Sequence, residues 1–102
     1  MLFILHRRDK KGTLEKRLQI RGRHTEHVLA ATTSGDVRVV LAGPLLSDDG
    51  STLTGGMAIV EAENREAVQA FSDTDPYVKE GIIETVLIDA YDCVVGAENL
   101  LS

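Results

Sequence analysis

The stretch Val37–Glu61, VRVVLAGPLLSDDGSTLTGGMAIVE, holds two β-rich runs with no helical pattern between them. Val37 to Ala42 reads as a strand, and Gly43-Pro44 is expected to stop it. Leu45 to Thr54 is expected to be a loop, with Asp48-Asp49-Gly50 as its turn signal. Met57 to Glu61 reads as the next strand. Gly55-Gly56, just before it, says little beyond backbone freedom.

Working outward, Leu14 to about Ala31 has helical spacing, with Thr13 as its candidate cap and Thr32 to Gly35 as a turn. Met1 to Leu5 is a short apolar run that suits a buried strand, and HRRDKKG is expected to break it. Downstream, Asn64 can cap a helix through about Ser72. A short helix from Pro76 to Glu80 follows, then a strand from Ile82 to Ala90 that Tyr91 to Val95 could extend. The order is β-α-β-β-α-β. This α+β arrangement is the ferredoxin-like split motif, in which two helices cover one face of a four-stranded antiparallel sheet. Apolar residues lie on both faces of these strands, so the uncovered face should meet a second copy of the chain.

At 102 residues the chain is expected to be one domain, 1–102. Its net charge of −5 argues against nonspecific nucleic-acid binding, as does a content of four aromatics. The lone thiol, Cys93, excludes an intrachain disulfide and a thiolate metal cluster, and fits a reducing cytoplasm. The opening MLFILHRRDKK is not a signal peptide, because its charges follow its short apolar run. No segment has the length needed to cross a membrane.

The long helix carries chemistry. On a helical wheel Leu14, Arg17, Leu18, Arg21, His24, Thr25, Val28 and Leu29 share one side, and Glu15, Lys16, Gln19, Arg23 and Glu26 the other. A core stripe with two arginines and a histidine is costly unless they are paired, so it is either half buried or lines a polar pocket. Snorkelling is the plainer account of each arginine taken alone, and a satisfied structural histidine that of His24. His27 is expected near the solvent side, and His6 has no assigned role. Asp75-Pro76 is a helix start, with Asp as N-cap and Pro at the first position. An Asp paired with a His also fixes the ring tautomer, but sequence distance alone does not bring Asp75 to His24.

MLFILHRRDK, TLEKRLQIRGRH, VLAGPL and DTDPYVKEGI, in that order, resemble the YciI-like (YCII-related) family over nearly the whole chain. Arg17, Arg21, His24 and Asp75-Pro76-Tyr77 are the most specific parts of the match. The resemblance implies a dimeric α/β-barrel assembly and a His24–Asp75 catalytic pair. The clearest activity in the family is removal of HCl from a chlorinated hydroxyhydroquinone. This chain departs from many members in its short loop between the second and third strands and in its polar Arg23-His24-Thr25.

Two readings of function follow. One is a cofactor-independent lyase acting on a small aromatic or anionic substrate. His24 would be its base, oriented by Asp75, with Arg17, Arg21, Tyr77 and Thr54 lining the substrate site and the Ser47–Thr54 loop closing it. The other is a noncatalytic small-molecule-binding or structural homodimer.

Overall fold

A computed structural model describes residues 1–101 of the chain. The elements run β1 (Leu2–Asp9), α1 (Leu14–Ser34), β2 (Val37–Leu46), β3 (Leu53–Ala62), α2 (Arg65–Asp73), α3 (Pro76–Lys79), β4 (Ile83–Tyr91) and α4 (Ala97–Leu101). The four strands form one antiparallel sheet in the order β2-β3-β1-β4. This is the ferredoxin-like α+β arrangement read from the sequence.

The core lies between one sheet face and the helices. Phe3 and Leu5 of β1, Val60 of β3 and Ile88 of β4 meet Val68 and Phe71 of α2, with Val28 and Ala31 of α1 packed against them. The opposite sheet face carries Ile4, paired with Ile59, which pairs in turn with Leu41, while Leu87 pairs with His6. Leu41 and Leu87 stay exposed there. A second small cluster, Ile20, Tyr77 and Ile82, pins α3 against α1.

Four strand boundaries differ from the sequence reading. The first strand does not end at Leu5. It runs to Asp9, because β1 is central and both neighbours supply backbone partners as far as Arg8. Gly43-Pro44 does not end the second strand. β2 is an edge strand, where a proline without an N–H need not break a ladder, and Pro44 pairs with Gly56. The third strand begins at Leu53 rather than Met57, which shortens the loop to a turn closed by Ser47 N–H to Thr52 O at 3.0 Å. The fourth strand stops at Tyr91, and the short helix α4 follows instead of an extension to Val95.

The caps differ in the same local way. Asn64 caps α2, its side chain accepting from Ala67 N–H. Thr13 precedes α1 without a side-chain cap bond and donates its hydroxyl to Lys10 O at 2.7 Å instead. α1 continues to Ser34 and closes on Gly35, whose φ of 87° is the left-handed conformation that glycine adopts without strain. The inward side of α1 is also rotated from the expected one. Leu18 and Leu29 are exposed, whereas Ile20 is buried. His27, expected near solvent, is half buried, with Nε2 2.8 Å from Phe71 O and its ring stacked on Phe71.

Candidate functional site

Asp75 occupies the turn between α2 and α3. As N-cap of α3 its Oδ1 accepts from Tyr77 N–H at 3.0 Å. Pro76 at the first helical position fixes the backbone for that role. The cap is not its only contact. His24 Nδ1, from α1, stands 2.8 Å from Oδ2 and 3.0 Å from Oδ1. Arg7 Nη2, from β1, donates to Oδ2 at 2.8 Å. Asp75 is 1% exposed, so three elements converge on one buried carboxylate.

The charge state of Asp75 follows from these contacts. Burial alone would raise its pKa. The His24 hydrogen bond, the charges of Arg7 and His24, and the Tyr77 N–H outweigh burial and hold the carboxyl down to about 2. It is a carboxylate at neutral pH. With the proton of a neutral His24 on Nδ1, facing Asp75, Nε2 is left with its lone pair.

Tyr77 forms the wall beside this pair. The His24 ring stacks on it with centroids 4.1 Å apart, and the Arg17 guanidinium carbon lies 4.3 Å from its centroid. Burial raises the pKa of the Tyr77 hydroxyl, against the opposing charges of Arg17 and Arg21, so it remains a phenol near neutrality.

Arg17 is buried, as a snorkelling arginine would not be. Its Nη1 donates to both oxygens of Asp9 at 3.0 and 3.1 Å, and its Nη2 to Gly55 O at 3.0 Å. Burial pushes the Asp9 pKa up, although the Arg17 charge and hydrogen bond work against it. Arg21 is exposed and makes no ion pair among the described residues.

These groups surround a cavity of about 290 Å³. His24, Asp75, Arg7 and Tyr77 form its polar wall, joined by Arg17 and Arg21; Leu5, Val28, Val39, Ala42, Pro44 and Phe71 make the apolar wall. That volume suits one substituted ring rather than a dinucleotide. Five of the six residues singled out from the sequence therefore lie together: His24, Asp75, Arg17, Arg21 and Tyr77. Thr54 is not among the residues lining the cavity, and the short turn from Ser47 to Thr52 closes on its own backbone. Among the described residues no cluster of His, Cys, Asp and Glu could hold a metal ion.

Arg7 was missed in the sequence. The signal was present: Phe3, Leu5 and Arg7 alternate, so a strand that continues past Leu5 turns Arg7 inward with the core. Ending the strand at Leu5 hid that.

The class is a small α+β fold in which a partly exposed His24 meets a buried Asp75 in the wall of a cavity of about 290 Å³. The YCII-related domain model matches residues 1–91, and the chain belongs to that family. It is 35% identical to Protein YciI of Escherichia coli over 96 residues, covering 89% of this chain and 96% of the relative. An uncharacterized protein of Haemophilus influenzae is 26% identical over 94 residues, with the same coverage. Among solved structures, the chain is similar to 5-chloro-2-hydroxyhydroquinone dehydrochlorinase (TftG) from Burkholderia phenoliruptrix, in complex with 2,5-dihydroxybenzoquinone. The TM-score is 0.76 at 26% identity, covering 90% of this chain and 94% of that one. A dimeric protein of ferredoxin-like fold from Bacteroides fragilis shares the fold, with TM-score 0.58 and 15% identity, covering 90% and 94%.

Proposed function

We propose that this chain is a cofactor-independent lyase that eliminates HCl from a chlorinated hydroxyhydroquinone-type aromatic. The observation that carries the reading is the contact of His24 Nδ1 with Asp75 Oδ2, 2.8 Å long, in the wall of a one-ring cavity. The likeness to the Burkholderia dehydrochlorinase supports the choice of substrate class.

In the proposed reaction His24 Nε2 takes a phenolic proton and Asp75 stabilises the imidazolium that results. The released electron pair moves into the ring as the His24 imidazolium returns its proton to the carbon bearing chlorine, which leaves His24 free to accept the second proton. Chloride then leaves with the C–Cl pair as a second phenolic proton is lost, and the ring becomes a hydroxyquinone. The net change is loss of one proton and one chloride. Arg21, which has no ion pair among the described residues, stabilises charge on ring oxygen, and Tyr77 orients the ring.

Two copies would pair through the sheet faces that carry Leu41 and Leu87, giving a homodimer of single-domain subunits; a lone thiol fits a cytoplasmic home. A stable monomer in sedimentation at micromolar concentration would reject the pairing. The alternative, a noncatalytic binding dimer, draws on the same buried network, since Arg7–Asp75–His24 also ties β1 to α1 and α3. Chloride release from 5-chloro-2-hydroxyhydroquinone separates the two. Wild-type protein is expected to release chloride and His24→Ala is not; a silent wild type rejects the lyase.

A further inference from the structure

The three arginines at the cavity are not equivalent. Arg17 is committed to Asp9 and to a backbone carbonyl, and Arg21 sits exposed on α1. Arg7 is 6% exposed, on the central strand, and its Nη2 reaches the same Asp75 oxygen that His24 approaches.

We infer that Arg7 is a positioning residue: it holds the Asp75 carboxylate in the rotation that faces His24, and so keeps the His24 proton on Nδ1 and leaves Nε2 as the base. The inference rests on the general-base reading of His24 given above.

The geometry carries it. Without Arg7, Asp75 would be held by Tyr77 N–H and His24 alone, both from helices. Tyr77 N–H bonds only Oδ1. Arg7 takes Oδ2 from β1, where it is paired on both sides with Gly56 and Val86. The carboxylate is thus clamped between sheet and helix with both oxygens within 3.0 Å of His24 Nδ1.

Stability alone is a poor reason for this arginine. Its Nη1 is buried with no hydrogen-bond partner among the described residues, which costs free energy. An apolar side chain continuing the Phe3–Leu5 alternation would avoid that cost and the desolvation of a charge. What an apolar residue cannot do is aim a carboxylate.

The other charged groups do not substitute for it. From β1, Asp9 is ion-paired with Arg17 and feels the Arg7 charge without being in ion-pair contact with it; from α1, Arg17 and Arg21 bear on Tyr77; from α3, Tyr77 stays a phenol. β2, β3 and α2 bring only glycine and apolar side chains to the cavity.

The test is the tautomer of His24, read by long-range ¹H–¹⁵N correlation at neutral pH in wild type, Arg7→Met, Arg7→Lys and the same substitutions in an Asp75→Asn background. Wild type is expected to show predominantly the Nδ1–H form. Arg7→Met should move most of the population toward Nε2–H, which a free imidazole favours, and Arg7→Lys should fall between, since it keeps charge but loses the fork. In the Asp75→Asn background the Arg7 change should add nothing. Undiminished Nδ1–H in both Arg7 variants overturns the inference. So does loss of the fold in both, because Arg7 would then be a structural strut. Failure of wild type to release chloride would reject the lyase reading and leave the tautomer result standing, so the two failures are separable.

Discussion

Arg7 and His24 meet the same carboxylate oxygen, each with a nitrogen 2.8 Å from Asp75 Oδ2. That relationship changes what Asp75→Asn should do. Asn caps a helix about as well as Asp, so a mere cap would tolerate it. Here the change also removes the Arg7–Asp75 ion pair and leaves a buried guanidinium with no carboxylate in ion-pair contact among the described residues. Breaking a buried pair from one side costs about 3 kcal/mol or more. Asp75→Asn is expected to fold but melt well below wild type, and to lose most chloride release. Arg7→Met/Asp75→Asn should be more stable than Asp75→Asn alone. Equal melting of the single variant and wild type would reduce Asp75 to a cap.

Acid should weaken the fold through the same carboxyl. Its folded pKa, about 2, lies below the ordinary 3.8. A carboxyl depressed on folding contributes stability that is present above the ordinary value and is lost as pH falls toward the folded value. The window is therefore about pH 4 down to about pH 2, with a loss on the order of 2 kcal/mol. Asp9 works with the opposite sign, because burial raises its pKa. Asp49 titrates in the Asp75 window too, held at about 2 by hydrogen bonds from Ser47 and Ser51, but on a fully exposed turn. Urea unfolding at pH 5 and pH 2.5 should show the wild type losing more stability than Asp75→Asn. The same loss in both would remove Asp75 from the account.

Gly55 and Gly56 are neighbours with different tolerances. A Cβ on Gly55 would lie 2.1 Å from the Arg7 carbonyl oxygen, a contact between β3 and β1 backbones that neither strand can relieve by a rotamer change. A Cβ on Gly56 meets Arg17 Nη2 at 3.6 Å and Gly43 O at 3.8 Å, ordinary contact distances. Gly55→Ala should cost about 2 kcal/mol or more, a fall of roughly 10 °C in Tm for a chain this size. Gly56→Ala should fold normally and reduce ligand capacity, since Gly56 lines the cavity. Equal thermal stability of the two variants would contradict this geometry.

Element order was legible in the sequence because it rests on hydrophobic period, and each run of Val, Ile and Leu became a strand. Strand ends were not, because pairing set them. Arg8 and Pro44 are strand residues because of what stands beside them in the sheet. The same error concealed Arg7. His24 and Asp75 stood out as residue types, but no periodicity joins positions 51 apart in sequence. The α1 wheel erred at Leu18 and Leu29 because both count as apolar wherever the helix faces, whereas packing against α3 selects Ile20.

His24→Ala separates a base from a brace. The ring does structural work: it stacks on Tyr77 and supplies one of three partners to Asp75. Its loss leaves Asp75 with Arg7 and Tyr77 N–H, so no buried carboxylate is stranded. The side chain is also 24% exposed, and water can enter the space it vacates. The stability cost should therefore be small, about 1 kcal/mol, which is less than Asp75→Asn. Turnover should fall by a factor of at least one hundred, the usual contribution of a positioned base. The two quantities are read from a thermal melt and from chloride release per folded molecule. A base role requires the loss of turnover to exceed anything the melt explains. If chloride release per folded molecule is unchanged while Tm drops sharply, His24 is a brace and the proton acceptor lies elsewhere in the cavity.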